Sequence, residues 1–390
     1  MTTLDKRPDA GLPGTPADPQ GVRTFLPSYD ADAAPPVPRA SLGRMSPDEL
    51  FVRAGSWFAG FGLAWVITQR LLAMPGVPWF LIMWFVCGVA VTAVSTAATG
   101  TRVDVKDRVA ASVITGCALF VGASLVAVVV YVAVKGYKPV LNLNFWFDDM
   151  SGVGPKDPFD EGGIRHAIVG SLIEISIAVA ITLPLGVGTA VFMTEVGGRF
   201  ARVVRTLVEA MTALPSIVAG LFIYTVWVIA LGQPKSGFAA ALALSVMMLP
   251  IIARAADVVL RVVPGGLREA SLALGASRWR TVWHVVLPTA RPGLATALIL
   301  GVARGIGETS PVLLTSGAAD FTKANPFDGA MNSLPLFIYG NVRSGADVAI
   351  QRAYGAALVL LLLVLVLFVV ARLLARPRKT TSRRTRRADS

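Results

Sequence analysis

Apolar residues in this chain gather into long runs, and the polar residues between them fall into short clusters. A helix crossing the hydrocarbon core of a bilayer needs about 20 residues. Runs of that order lie at 54–74, 77–98, 109–135, 164–194, 203–231, 237–262, 292–316 and 349–375. The pattern predicts an all-α polytopic membrane protein with eight spans. Pro75 and Pro78, between the first two runs, suit a tight hairpin turn. Pro215 and Pro250 lie inside apolar runs, where proline removes a backbone hydrogen bond and is expected to kink or break the helix.

One polar interruption stands apart from the rest. It runs from Glu269 to Pro288, EASLALGASRWRTVWHVVLP. Helix-forming residues lead to Gly275, Ser277 offers an N-cap for a second short helix, and Pro288 is expected to stop that helix. A helix-turn-helix elbow over 264–291, lying at a membrane surface, is the expected result. So long a structured loop in a mostly apolar chain needs a partner to bind.

Composition strengthens the membrane assignment, because 54% hydrophobic and 15% charged residues leave too little polar surface for a soluble domain. The formal net charge of +12 does not point to nucleic acid, since the basic residues concentrate in a few loops and the tail. Arg102, Lys106 and Arg108, then Arg199, Arg202 and Arg205, then Arg268, Arg278, Arg280 and Arg291, and finally the tail RPRKTTSRRTRR are placed inside by the positive-inside rule. The 136–163 loop, with Asp148, Asp149, Asp157, Asp160 and Glu161, and the 317–348 loop face outward. Both termini are thereby expected in the cytoplasm of a multi-pass protein. Residues 1–50 have no hydrophobic period and are expected to form a disordered arm without a cleavable signal peptide. Residues 51–100 would form an extra hairpin, 109–375 the main body, and 376–390 a basic tail held near anionic membrane lipid.

Motifs for nucleotide phosphate binding are missing from the sequence: there is no GxxxxGK[ST], and the Gly pairs at Gly162, Gly197 and Gly265 do not follow a strand. His166 and His284 fall on opposite sides of the membrane and are expected to be interfacial, without acid-base partners. Cys87 and Cys117 sit in apolar runs and are expected to be buried small hydrophobes, with no disulfide or metal site. The chain is therefore not expected to be an enzyme or to hold a cofactor. If transport is driven by ATP, a partner subunit binds ATP and Mg.

The informative charges lie within spans. Arg304 and Glu308, in RGIGETSP, are expected near mid-membrane and, at i, i+4, on one helix face. Either charge left in lipid costs at least about 2.5 kcal/mol, so both should face the protein interior. They could form a salt bridge that fixes helix packing. Alternatively Arg304 offers a guanidinium fork that matches a tetrahedral oxyanion, and Glu308 keeps that anion from binding too tightly. Gly305 and Gly307 lower helix propensity beside the pair. Glu174 in GSLIEISIAV needs a partner, either Arg304 or a basic residue of a second subunit, unless it makes a packing hydrogen bond in protonated form. Arg254 and Arg261, at the end of their span, are expected to snorkel.

Glu269-Ala270-Ser271, Gly275 and Val285-Val286-Leu287-Pro288 match the pattern EAA, three residues, Gly, nine residues, aliphatic, any residue, Leu-Pro. This resembles the signature of the membrane subunits of bacterial ABC importers, with mild departures at Ser271 and Val285. The resemblance implies a type I importer transmembrane fold in which Glu269, Ala270, Gly275, Ala276, Ser277 and Arg278 belong to a coupling helix docked on the ATPase. LPLGVGTAVFMTE, ALPSIVAGLF, MMLPIIAR and ARGIGETSP extend the likeness to permeases of phosphate importers, over a six-span core at 109–375. Arg304, Gly307, Glu308, Thr309 and Pro311 carry its most substrate-specific part, which implies a phosphate path through Arg304, Glu308 and Thr309. Implied partners are a second permease subunit, two copies of an ATPase subunit and an extracytoplasmic phosphate-binding protein docking on 136–163, 232–237 and 317–348. The arm and first two spans fall outside the likeness. A permease for sulfate, molybdate or phosphonate would keep the elbow but lose the Arg-x-x-Gly-Glu-Thr pattern; an ion-coupled transporter would not need the elbow.

Overall fold

The computed structural model describes residues 47–72 and 76–374. The arm up to residue 46, the Pro75 turn and the basic tail lie outside the described residues. Among the described residues seven helices are long and apolar enough to cross a membrane: Leu50–Leu71, Val77–Ala98, Arg102–Val140, Arg165–Val196, Gly237–Val262, Arg278–Ile306 and Asp347–Leu373. The eighth expected span is a pair, Gly198–Thr212 and Ser216–Ala230, bent by 103°. Pro215 makes the bend, since it takes extended backbone ahead of the second helix.

The chain divides within one helix, between Cys117 and Ala118, into two compact units. In the first, α1 (Pro47–Val66) packs along α2 (Val77–Thr99), and α3 begins at Arg102. Trp57 meets Trp84 edge-on at 6.4 Å, and Trp84 Nε1 donates to the Trp57 carbonyl at 3.1 Å. Cys87 is buried as expected, whereas Cys117 is exposed. The most apolar stretch of α3 buries none of its residues within the chain, so its apolar side chains point outward, as on a lipid-facing helix.

The second unit holds the rest of α3 (to Val140), α4 (Leu143–Phe147), α5 (Arg165–Val191), α6 (Gly198–Thr212), α7 (Ser216–Ile223) and α8 (Gly237–Val262). It continues with α9 (Gly265–Ala273), α10 (Arg278–Thr281), α11 (Leu287–Ile306), α12 (Ser310–Thr315), α13 (Leu334–Arg343) and α14 (Asp347–Leu374). The core forms where α5 lies along α8, with α11 packed on α8 and on α14. Ile175, Leu244, Met248, Ile252 and Ile306 meet there. Ala239, Ala240, Ala241 and Ala243 of α8 are fully buried; such small residues let membrane helices approach closely. The packed helix survives Pro250, which lies inside α8 without ending it, so tertiary contact outweighs the lost backbone bond.

Pro288 does not end a helix either. α10, a π turn at Val282–Val286 and α11 form one continuous helix from Arg278 to Ile306. In the π turn the Leu287 N–H donates to the Val282 carbonyl, five residues back. This shifts the hydrogen-bond register just where proline supplies no donor. The predicted 292–316 span therefore starts earlier and stops at Ile306, and α12 follows as a separate short helix.

Candidate functional site

Two regions carry the residues singled out in the sequence. The first is the elbow. α9 ends near Ala273, Gly275 takes φ +82°, and its N–H donates to the Leu272 carbonyl at 2.9 Å. Ser277 caps α10 as expected, its Oγ accepting from the Arg280 N–H at 3.3 Å. Ser271 Oγ and Thr281 Oγ1, 2.9 Å apart, tie the two arms together.

Arg268 fixes the elbow to the membrane-spanning body. Its Nε donates to Glu195 Oε1 at 3.0 Å, Nη1 to the Val263 carbonyl at 2.9 Å and Nη2 to the Leu260 carbonyl at 2.8 Å. Glu195 belongs to the π turn Phe192–Val196 that closes α5, so one side chain joins the ends of α5 and α8 to the root of α9. Arg261 does not merely snorkel: its Nε bonds Asp257 at 3.1 Å, and Arg205 Nη2 reaches the same carboxylate at 3.3 Å. On the elbow itself Glu269, Ala270, Gly275, Ser277 and Arg278 are exposed, and Ala276 is half-buried. Leu274 is 89% and Trp279 67% exposed on the same elbow. These two large apolar side chains are left uncovered by the rest of the chain.

The second region surrounds Arg304. Arg304 and Glu308 do form an ion pair through Nη1 and Oε1, but not on one helix face. α11 stops at Ile306, and the Glu308 N–H turns back to the Gly305 carbonyl at 3.1 Å. Weak helix propensity at Gly305 and Gly307 allows the break. Arg304 therefore stands in the last turn of its helix rather than at its middle. Its side chain is 57% exposed, while that of Glu308 is 7% exposed. Thr309 precedes the first residue of α12. Arg304 also lines a cavity of about 200 Å³ together with Thr212, Leu214, Pro215, Ser216 and Met247. The bend at Pro215 and the break after Ile306 thus bring a cation and two hydroxyl residues to one hollow.

Glu174 meets neither Arg304 nor any other base among the described residues. It is buried, and its Oε1 lies 2.7 Å from Ser316 Oγ. His166 is buried against Phe337, with ring centroids 5.4 Å apart.

The 148–165 segment is fastened at both ends. Asp149 accepts from the Thr322 N–H at 3.0 Å, from Thr322 Oγ1 at 3.1 Å and from the Ser151 N–H at 3.3 Å. Burial pushes the Asp149 carboxyl up, but these hydrogen bonds outweigh it and hold the group at about 2. A lowered value favours the folded loop above the ordinary carboxylate range, and this contribution is lost only as pH falls toward 2. Arg352, 1% exposed on α14, donates Nη1 to the Gly154 carbonyl at 3.2 Å. Its Nη2 donates to the Pro158 and Glu161 carbonyls at 2.6 and 2.8 Å. Arg352→Ala removes all three bonds and is expected to cost about 1–3 kcal/mol. Limited proteolysis checks this: cleavage within 151–163 should quicken while the rest of the chain keeps its pattern.

Residues 182–379 match the family of binding-protein-dependent transport system inner membrane components. A phosphate transport system permease protein PstA of Mycobacterium leprae is 39% identical over 264 residues, covering 67% of this chain and 86% of the relative. PstA 1 of Mycobacterium tuberculosis H37Rv is 40% identical over 234 residues, 60% of this chain and 75% of the relative. A probable ABC transporter permease, YqgI of Bacillus subtilis, is 36% identical over 241 residues, 60% and 79% of the two chains. Among solved structures, the MetNI methionine ABC transporter in an inward-facing conformation aligns with a TM-score of 0.44 at 23% identity, over 55% of this chain and 93% of that one. The chain belongs to the family of binding-protein-dependent transport system inner membrane components, and within it to the PstA phosphate transport permeases.

Proposed function

We propose that this chain is the membrane permease subunit of an ATP-driven importer of inorganic phosphate, forming one half of the translocation path. The observation that carries the proposal is Arg304, poised in a hollow beside a helix break in a chain of the PstA family. A guanidinium offers up to five N–H donors in a planar fork. Phosphate entering the hollow exchanges with the Glu308 carboxylate for part of that fork, so binding is transient enough for passage. Thr309 adds a hydroxyl at the same break. A guanidinium alone does not separate phosphate from sulfate, and relatives named for phosphate transport support phosphate as the cargo.

Glu269, Ala270, Gly275, Ala276, Ser277 and Arg278 form the face that docks on an ATPase subunit. Bracing by Arg268 supports this role, because a push on the elbow reaches α5 and α8 without being absorbed in a loose loop. The complex comprises this chain, a second permease, two ATPase copies and an extracytoplasmic phosphate-binding protein seated on the outer loops. The bias of basic residues to the elbow, the 99–108 and 195–205 loops and the tail supports a cytoplasmic elbow and cytoplasmic termini in a bacterial cell. Vesicles carrying the assembled complex should move phosphate only when ATP is supplied on the elbow side. Uptake that ignores ATP would remove the proposal.

A further inference from the structure

Glu174 of α5 is 2% exposed and forms no ion pair among the described residues. Its Oε1 lies 2.7 Å from Ser316 Oγ, and the same Oγ lies 2.8 Å from the Met331 carbonyl oxygen. A serine hydroxyl has one hydrogen to give, and a carbonyl has none. Were Glu174 ionised, two acceptors would share that single hydrogen across two short contacts. With a proton on Glu174 each contact holds its own hydrogen: the carboxylic acid donates to Ser316 Oγ, and Ser316 donates to Met331.

The surrounding charges agree with the hydrogen count. Glu174 and Glu308 line one cavity of about 10 Å³, the scale of a single water molecule. α5 also contributes Ser171 and Ile175, α8 Leu244, α11 Gly305 and Ile306, and α12 Val312; Ser333 and Pro335 complete the wall. Glu308 is the only other titratable group on that wall, and its negative charge is matched by Arg304. A second negative charge there would have no counter-ion among the described residues, and a buried unpaired charge is strongly unfavourable. Ser333 Oγ, buried and without a partner among the described residues, is a further polar group on the same wall.

We infer that Glu174 is a proton-binding site: a neutral carboxylic acid that latches Ser316, and through it the Met331 strand of chain, to α5. The latch joins residues 142 positions apart, directly after α12. Release of the proton to water turns the donor into an acceptor, leaves Glu174 and the Met331 carbonyl competing for the single Ser316 hydrogen so that one of the two contacts is lost, and adds a negative charge beside Glu308. Proton binding rests on the hydrogen-bond geometry alone; its effect on uptake rests on the Arg304 path proposed above.

Infrared difference spectra of the full complex in membranes at near-neutral pH test the site. The wild type should show the C=O band of a protonated carboxylic acid, sensitive to deuterium exchange and missing from Glu174→Gln. Identical spectra in the acid region would overturn the inference. If the glutamine variant fails to assemble, Ser316→Ala serves instead: the band should persist and move to higher frequency as its acceptor is lost, and an unmoved band would count against the latch. In phosphate uptake, the ratio of Glu174→Gln to wild type should climb as pH is raised, because glutamine stays a donor. A flat ratio overturns the link to transport. A wild type that moves no phosphate but keeps the band refutes the path, not the proton site.

Discussion

Arg304→Gln is expected to abolish phosphate uptake while the complex still assembles. Loss of a charge-assisted fork to an oxyanion removes about 3 kcal/mol, or roughly 100-fold in rate. Arg304→Lys keeps the charge but not the planar fork, so it should fall between the two. The single glutamine variant also leaves Glu308, 7% exposed, without its cation, and the unpaired carboxylate will destabilise the site on its own account. Arg304→Gln with Glu308→Gln separates these effects. Transport assays on purified, assembled complexes should find the double variant stable but inactive. Recovered uptake in the double variant would mean that the pair only fixes packing.

The second large effect is expected at Gly275. Its φ of +82° is strained for any side chain and most of all for a β-branched one. A Cβ added there meets nothing within 4 Å, so Gly275→Val acts through the backbone and not through crowding. The elbow turn should open, and ATP hydrolysis should continue without phosphate movement in a complex that still assembles. Gly275→Asn, which tolerates left-handed backbone better, should keep most of the coupling. Measured side by side, ATP turnover and uptake should diverge for valine; normal coupling in that variant would remove the elbow from the transmission path.

Local signals made much of this legible from sequence. The apolar runs gave the spans, and the Gly275 turn and Ser277 cap gave the elbow, because each depends on residues close along the chain. Bends and breaks were harder. Pro215 does break its span while Pro250 and Pro288 do not, and nothing near those prolines distinguishes them; buried alanines and a π turn decide. A span over 292–316 has Arg304 near mid-membrane, but its helix begins at Arg278 and ends at Ile306. The contacts that brace the site were invisible for a related reason. Arg268 reaches Glu195 across 73 positions, Glu174 reaches Ser316 across 142, and Arg352 reaches Pro158 across 194. Single charges in or beside spans were the available signal, and they identify a need for a partner without naming it.

In the proposed function this chain passes phosphate under the control of an ATPase bound at its elbow. The most direct measurement is accumulation of labelled phosphate in vesicles reconstituted with the whole complex, with ATP on the elbow side and unlabelled sulfate or phosphate as competitor. Uptake that needs ATP, is suppressed by unlabelled phosphate and is indifferent to sulfate is the predicted result. Accumulation without ATP, or equal suppression by sulfate, would contradict it.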